Sequence, residues 1–387
     1  MLAKEPSFTP PERRCKQTIP VGILYSVSEQ YGGIGREMLN GIMLAIEEVN
    51  ANEAMDFTLA PVIYDPGCQL ENYYRYCREL LYRHGVKHIV GCYTSASRKV
   101  ILPLIEGTNA MLWHTARYEG YESSDHVIYM GAVPNQHVLP MLDYVLKHER
   151  PEVYHVGSNY IWSEEIDRIT RDMLDMHEGK MVASRFMGLG ETDVTPIILD
   201  ILARRPPVIL ITLVGISAYR FYQVWKAMSV EYAFLREAAP TRLSLTLCEQ
   251  EVAMIGAEAV EGCLVSAVYF HSIDNVQNQK FASCYRQRFG EHAVPTVDAE
   301  AAWMSGQFLA KGIQASGSDD PPLVREAVYG IELDAPNGKT RINRENNHAS
   351  LTPRLARIGA DGKFHLLWQA PSPVSPDPWL TWSDLSR

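Results

Sequence analysis

Tyr93, Thr94 and Ser95 place three hydroxyl groups where a short apolar run, residues 87–93, gives way to a helical pattern at 95–108. Ligands of open α/β sheets bind beyond the carboxyl ends of the strands, where the first N–H groups of helices point outward. Tyr93 and Ser95 are therefore candidate hydrogen-bonding partners for a small polar ligand. The alternative for Thr94 or Ser95 is simple N-capping of the helix.

A second junction follows the predicted strand 110–115 and contains His114, Ala116 and Arg117. An imidazole there would bring a group that titrates near neutral pH, although a lone histidine is more often a structural residue. Arg117 would suit an anionic ligand if it pointed inward, but we expect it at the protein surface.

Two further kinds of junction add aromatic and hydroxyl side chains. Tyr160 and Trp162 follow the predicted strand 152–158 and lie two residues apart, so in extended chain both would face one cleft. Packing in a helix core is the alternative for Trp162. Val214 and Thr246 stand at the ends of two later predicted strands that carry small or hydroxyl residues.

Sequence signatures of enzyme active sites are absent. The chain has no GxSxG nucleophile elbow, HExxH zinc motif, Walker A loop or GxGxxG fingerprint. Gly32, Gly33 and Gly35 follow the first predicted strand, but their spacing is wrong for dinucleotide binding. None of the seven cysteines forms a CxxC pair, so reduced thiols are expected and neither a disulfide framework nor a zinc site. We expect a non-enzymatic protein without a metal or other cofactor.

Charge and hydropathy argue against two further classes of protein, nucleic-acid-binding and membrane-spanning proteins. The formal net charge of −10 repels phosphate backbones, and no long Lys/Arg cluster is present, so direct nucleic-acid binding is disfavoured. No apolar run approaches the ~20 residues of a membrane-spanning helix. The N-terminal residues lack the apolar core of a secretory signal. We therefore expect a cytoplasmic protein, or a periplasmic one if a signal peptide has been removed.

Short apolar runs alternate with helical patterns along most of the 387 residues. This alternation predicts βαβ units and parallel sheets covered by helices on both faces. It runs from residue 21 to 115 and starts again near 126, and from Leu333 on the pattern changes to short strands with turn signals. The predicted fold class is α/β, with two doubly wound parallel-sheet lobes joined by several crossovers.

Several stretches of the chain have a combined pattern that is more specific than any single motif. They are Val90-Gly-Cys-Tyr93, Tyr118-Glu-Gly120, Pro134-Asn-Gln136, Gly157-Ser158, Tyr160-Ile161, Tyr269-Phe270, Ser272-Ile-Asp274, Asp334-Ala-Pro336, Asn346-Asn-His348 and Pro376-Asp-Pro378. From about Ile19 to Trp379, the chain resembles the AmiC-like amide sensors of the type I periplasmic-binding-protein superfamily, which control expression of an aliphatic amidase.

The resemblance implies two lobes that close on a ligand, with three crossovers near 132, 268 and 331. Residues 1–18 would form an N-terminal arm. Residues 19–132 and 269–330 would form the first lobe, and residues 133–268 and 331–387 the second, with the ligand cleft between them.

The resemblance also implies site residues. The ligand amide would lie between Tyr93 and Ser95, with Tyr160, Trp162, Val214 and Thr246 completing the pocket. Where the family has Tyr-Pro-Thr-Pro, this chain has His114-Thr115-Ala116-Arg117, and Trp162 stands where the family has tyrosine. Because the lining is altered on two sides, we expect an amide- or urea-like ligand that need not be acetamide.

The implied function is a cytoplasmic sensor that holds an RNA-binding antiterminator of the AmiR type inactive until an inducer binds. The alternative is the substrate-binding protein of an ABC importer for amides, urea or amino acids. The sequence leaves open the identity of the ligand and whether the protein forms a homo-oligomer.

Overall fold

The computed structural model describes residues 16–237 and 239–381. The chain begins with a five-stranded parallel sheet in the order β2-β1-β3-β4-β5. Its strands are β1 (Gln17–Leu24), β2 (Phe57–Tyr64), β3 (His88–Gly91), β4 (Met111–His114) and β5 (Val127–Tyr129). The connecting helices are α1 (Gly32–Ala51), α2 (Leu70–Arg78), which continues in a π-helical turn over Glu79–Arg83, and α3 (Ser95–Gly107).

A second sheet repeats this architecture. Its parallel strands are β6 (Glu152–Ser158), β7 (Lys180–Met187), β8 (Val208–Thr212), β9 (Thr241–Ser244) and β10 (Leu264–Ala267). The helices between them are α4 (Pro134–His148), α5 (Ile161–Met176), α6 (Thr195–Arg204), α7 (Ile216–Met228), α8 (Phe234–Glu237), α9 (Glu249–Ile255) and α10 (Ala257–Val260). Helices α9 and α10 are separated at Gly256, whose φ is 100°.

The chain then returns to the first sheet with α11 (Val276–Phe289), α12 (Val297–Ser316) and α13 (Pro321–Val328). Helix α12 packs along α1, and the backbones approach so closely that a Cβ on Gly41 would lie 2.0 Å from the carbonyl oxygen of Ala299. Helix α13 begins with Asp320 as N-cap and Pro321 at its first position, which is a typical helix start.

The remaining strands divide between the two lobes. β11 (Glu332–Ala335), β12 (Gly338–Ile342) and β13 (Ala349–Ser350) form a small antiparallel sheet. β14 (Arg354–Ile358) and β15 (Phe364–Gln369) extend the second sheet by antiparallel pairing, giving the order β15-β14-β10-β9-β8-β6-β7.

The small sheet changes the expected domain division. Leu333, Ile342 and Leu351 lie in the same buried cluster as the apolar residues of β1, α1 and α12, and His348 forms a β-bridge with Tyr129 of the first sheet. The expected division assigned everything after residue 330 to the second lobe. The passage to the second sheet instead falls between Leu351 and β14, because the apolar side of the small sheet covers the first core. Of the expected arm 1–18, residues 1–15 lie outside the described residues, and residues 17 and 18 already belong to β1.

Candidate functional site

A narrow cavity of about 260 Å³, including its opening, lies where strand ends of the two sheets face each other. Its walls combine hydroxyl, aromatic and guanidinium side chains from both lobes. They are Tyr93, Ser95 and Arg117 from the first lobe, and Tyr160, Trp162 and Thr246 from the second. Five of the eight predicted ligand-binding residues are thus brought together.

The first wall is set by the junction between β3 and α3. Thr94 is the N-cap of α3, and its Oγ1 accepts a hydrogen bond from the backbone N–H of Ser97 at 3.2 Å. The simple capping interpretation is therefore correct for Thr94. Ser95 is the first residue of the helix, and its hydroxyl donates to a carboxylate oxygen of Glu119. Tyr93 packs against Tyr31, with 5.2 Å between the ring centroids.

The second wall comes from the β6–α5 junction and from the loop after β9. Trp162 is only 3% exposed and packs in a core cluster while also lining the cavity, so both interpretations of this residue hold in part. Its indole Nε1 donates to no acceptor in the described part of the chain. Tyr160 lies beside it, with 6.1 Å between the ring centroids. Strand β9 ends before Thr246, whose Oγ1 donates to the carbonyl of Leu213 at 3.2 Å.

His114 does not line this cavity. Its ring is fully buried behind the first wall, with Nε2 3.0 Å from Nη1 of Arg98 and Nδ1 3.4 Å from the carbonyl oxygen of Gly91. A guanidinium can only donate, so His114 Nε2 is the acceptor and the proton lies on Nδ1. Burial, and then the charge of Arg98, hold the pKa of His114 well below its usual range. Because the charged guanidinium of Arg98 lies beside it, the imidazole stays neutral, and it serves as a structural hydrogen-bonding group.

Ala116 and Val214 are also absent from the cavity wall. A Cβ on Gly131 would lie 2.0 Å from the carbonyl oxygen of Ala116, so this backbone packs tightly against the first crossover. Val214 is buried, and its N–H donates to Ser158 Oγ at 3.2 Å. Both residues follow strand ends as predicted, and both are buried, but neither lines the cavity.

Arg117 was expected at the surface, and the structure contradicts this. Its side chain is 10% exposed and reaches the cavity, where Nη2 lies 3.4 Å from Oδ2 of Asp298, near the start of α12. Arg117 Nε has no hydrogen-bond partner among the described residues. Burial raises the pKa of Asp298, and the guanidinium opposes that rise. A chain position after a strand could not indicate that a carboxylate 181 residues away would hold Arg117 inward.

A second cavity, of about 370 Å³, adjoins the first through Arg117. It lies at the crossovers and is lined by backbone around residues 130–132 and 266–268 together with His137, Asp298 and Glu300. His137 donates from Nδ1 to the carbonyl of Val133 at 2.9 Å, while its Nε2 has no partner in the described ranges. Burial lowers the pKa of His137 to about 3.

Glu251, on α9 of the second lobe, is a charged residue that the sequence argument did not single out. The side chain is fully buried, and the Tyr219 hydroxyl is close enough to its carboxylate to oppose part of the rise in its pKa. Burial raises its pKa to about 8 against the opposing charge of Arg117. In sequence, a glutamate in the first turn of a helix is ordinarily explained by the helix dipole, so no signal distinguished it.

The two lobes are in contact around the cavity. Arg168 of α5 donates from Nη2 to the hydroxyl of Tyr121 at 2.6 Å across the cleft. At another point of contact, a Cβ on Gly215 would lie 2.4 Å from the carbonyl oxygen of Gln30, so only glycine allows this approach. This is a closed arrangement of the lobes.

No group of three or more His, Cys, Asp or Glu side chains that could hold a metal ion occurs among the residues that the structure describes. None of the helices within residues 16–237 and 239–381 is long and apolar enough to cross a membrane. The six described cysteines carry free thiols, and Cys15 lies outside the described residues.

Comparisons with known proteins agree with the predicted fold. The sequence model of the family described as "Periplasmic binding protein domain" matches residues 19–384. The chain is similar to a solute binding protein of an ABC transporter from Rhodopseudomonas palustris HaA2 in complex with p-hydroxybenzoic acid, with a TM-score of 0.84 and 21% identity over 95% of this chain and 100% of that one.

Two amino-acid-related structures are also similar. An amino acid ABC transporter substrate-binding protein from Pseudomonas fluorescens Pf-5 has a TM-score of 0.81 and 16% identity over 94% of this chain and 97% of that one. The leucine binding protein LivK from Thermotoga maritima MSB8 has a TM-score of 0.79 and 16% identity over 91% and 98%. These likenesses confirm the predicted two-lobed α/β fold.

Proposed function

Because the chain belongs to the periplasmic binding protein domain family, we propose that it is the substrate-binding protein of an ABC importer for a small polar molecule. The amide-, urea- or amino-acid-like ligand predicted from the sequence is kept in this proposal. The similar solved structures are named as solute-binding proteins of ABC transporters, which favours this role over the amide-sensing regulator that the sequence suggested first.

One observation carries the proposal: a single narrow cavity takes polar groups from both lobes. Ser95 and Arg117 approach from one side, and Trp162 and Thr246 from the other. A ligand that touches both walls stabilises the closed form over the open one by its differential affinity for the two forms. Closure would bury the ligand, so each of its donors and acceptors needs a partner in the wall.

The free hydrogen-bonding groups favour a ligand with both donors and acceptors. Trp162 Nε1 and Arg117 Nε are buried donors without partners among the described residues. Thr246 and Ser95 donate their hydroxyl protons to protein acceptors, which leaves oxygen lone pairs for a donor on the ligand. Amides and ureas carry both kinds of group in the small volume available. A zwitterionic amino acid is the competing class, and the buried charges of Arg117 and Asp298 are the feature that would select it.

The test is a calorimetric titration of the full chain with acetamide, urea, glycine and acetate. We expect a neutral amide or urea to bind, and Ser95→Ala and Trp162→Phe each to weaken binding by about tenfold, the loss of one buried hydrogen bond. Ser229→Ala is the control, because that hydroxyl donates to a helix carbonyl far from the cavity. Binding of glycine alone would select the amino-acid class. Absence of binding for all four probes would reject the proposal.

The amide-sensing regulator stays a second candidate, favoured by the sequence stretches that resemble amide sensors. The two roles predict different macromolecular partners and locations. As an importer component the protein would work outside the cytoplasm and dock on a membrane permease. As a regulator it would stay in the cytoplasm and hold an antiterminator protein. Co-purification from the native cell, with and without the bound small molecule, distinguishes a membrane-protein partner from an RNA-binding one.

A further inference from the structure

The hydroxyl proton of Ser95 is already used inside the protein. Ser95 Oγ lines the cavity and donates its proton to Oε2 of Glu119, which is itself buried. A serine hydroxyl has one proton and two lone pairs, so Ser95 can only accept from a ligand while this bond persists. The direction of the bond therefore decides which chemical group can stand opposite Ser95.

A buried cation fixes that direction. Arg98 is fully buried behind the wall, with Nη2 3.5 Å from Oε1 of Glu119 and Nε 2.7 Å from Oε1 of Glu122. A guanidinium stays charged in proteins, and a buried charge needs opposite charge nearby. The guanidinium lies between the carboxylates of Glu122 and Glu119, and a carboxylate accepts hydrogen bonds but cannot donate one.

The other neighbours of Arg98 hold it in place. Its Nη1 donates to His114 Nε2 at 3.0 Å, and its guanidinium carbon lies 4.5 Å from the ring centroid of Tyr118. Glu122 in turn accepts from the hydroxyl of Tyr129 at 2.9 Å. Arg98 gives its hydrogen bonds to Glu122 and His114 and lies 3.5 Å from Glu119, so its charge is fixed beside both carboxylates.

We propose that Glu119 is a specificity-determining positioning residue: beside the buried guanidinium of Arg98, its carboxylate orients Ser95 as an acceptor, so that the cleft selects a ligand presenting an N–H donor at that point and rejects the isostere that presents an oxygen there. This inference rests on the proposed function, and it assigns a role to two buried residues that do not themselves line the cavity. It distinguishes an amide from the matching carboxylate, two molecules of nearly the same size and shape.

The test substitution is Glu119→Gln, which keeps the side-chain shape. The amide oxygen of the new side chain is attracted to Arg98, so its NH₂ group faces Ser95 and donates to Oγ. The serine proton is then free to be donated to a ligand. The ratio of the acetate Kd to the acetamide Kd should therefore fall by about tenfold, because the acid gains one hydrogen bond while Ser95 Oγ keeps one lone pair for the amide.

Removal of a negative charge by itself favours anions, so the control is Glu122→Gln. This variant removes the same charge from the other side of Arg98 and leaves the Ser95–Glu119 bond in place. Thermal unfolding of each variant verifies that it is folded. The inference is supported if the ratio of the acetate Kd to the acetamide Kd falls further in Glu119→Gln than in Glu122→Gln. Equal ratios in the two variants would overturn it while leaving the proposed function intact, whereas a wild-type protein that binds neither probe would reject the proposed function itself.

Discussion

The buried carboxyl of Glu251 should make the free protein less stable as pH rises. Its side chain is fully buried, and burial raises its pKa from 4.5 to about 8. A group with a raised pKa in the folded state favours folding below its unfolded pKa, and this contribution is lost as pH rises through the folded pKa. The loss from Glu251 should therefore fall between about pH 4.5 and pH 8.

The size of this effect follows from the difference between the two pKa values. About 3.5 pH units, at about 1.4 kcal/mol each, correspond to an upper limit of about 5 kcal/mol in the free energy of unfolding. Glu251→Gln places a neutral group in the same volume, so the variant should match the wild type near pH 5 and exceed its stability near pH 9. Glu300, whose pKa burial also raises to about 8, should leave the variant with part of the wild-type dependence.

Urea denaturation at pH 5, 7 and 9 measures this directly. The comparison is between wild type, Glu251→Gln and Glu258→Gln, the last being an exposed glutamate on the neighbouring α10. The expected result is a stability gap between the first two that opens with pH, and no such gap for Glu258→Gln. Parallel pH dependences for wild type and Glu251→Gln would refute the reasoning, because they would mean that the carboxylate is stabilised as well in the folded protein as in water.

Three further predictions concern the cleft. Gly215→Ala should weaken ligand binding, since its Cβ would meet the Gln30 carbonyl at 2.4 Å and oppose closure of the lobes. Gly262→Ala is the control for backbone strain alone, because Gly262 has a φ of 80° but open space around it. Equal ligand affinities of Gly215→Ala and Gly262→Ala by calorimetry would contradict this prediction. Trp162→Phe should lower the melting temperature of the ligand-free protein, because the smaller ring leaves a gap in the core cluster that contains Trp162, and an unchanged melting temperature would show that the indole does not pack there. Asp298→Asn should strengthen acetate binding relative to acetamide by releasing its guanidinium partner, and an unchanged ratio would show that this ion pair does not face the ligand.

Much of the fold follows from local pattern. The alternation of apolar runs and helical segments correctly predicted strands at both sheets and helices between them, because strands of parallel sheets are buried on both faces and read as short apolar runs. The errors arise where contacts distant in sequence decide. Nothing local in Leu333 or Ile342 shows which of two cores their side chains cover.

The candidate site, too, could be predicted from local sequence only in part. Tyr93, Ser95, Tyr160 and Trp162 could be singled out because they follow strand ends, and the cavity indeed lies there. His114 follows a strand end equally well, but it turns away from the cavity toward Arg98.

The sequence alone thus determined the class of fold, the strand ends that face the cleft and the polar character of the side chains there, since each depends on residues close together in the chain. The tertiary structure alone decided that Arg117 points inward, that His114 is a neutral core residue and that Glu119 accepts the hydrogen bond of the Ser95 hydroxyl. Each of these depends on where buried charges find their partners. A buried charge must be paired wherever the fold brings an opposite charge near it, and sequence spacing carries no record of that distance.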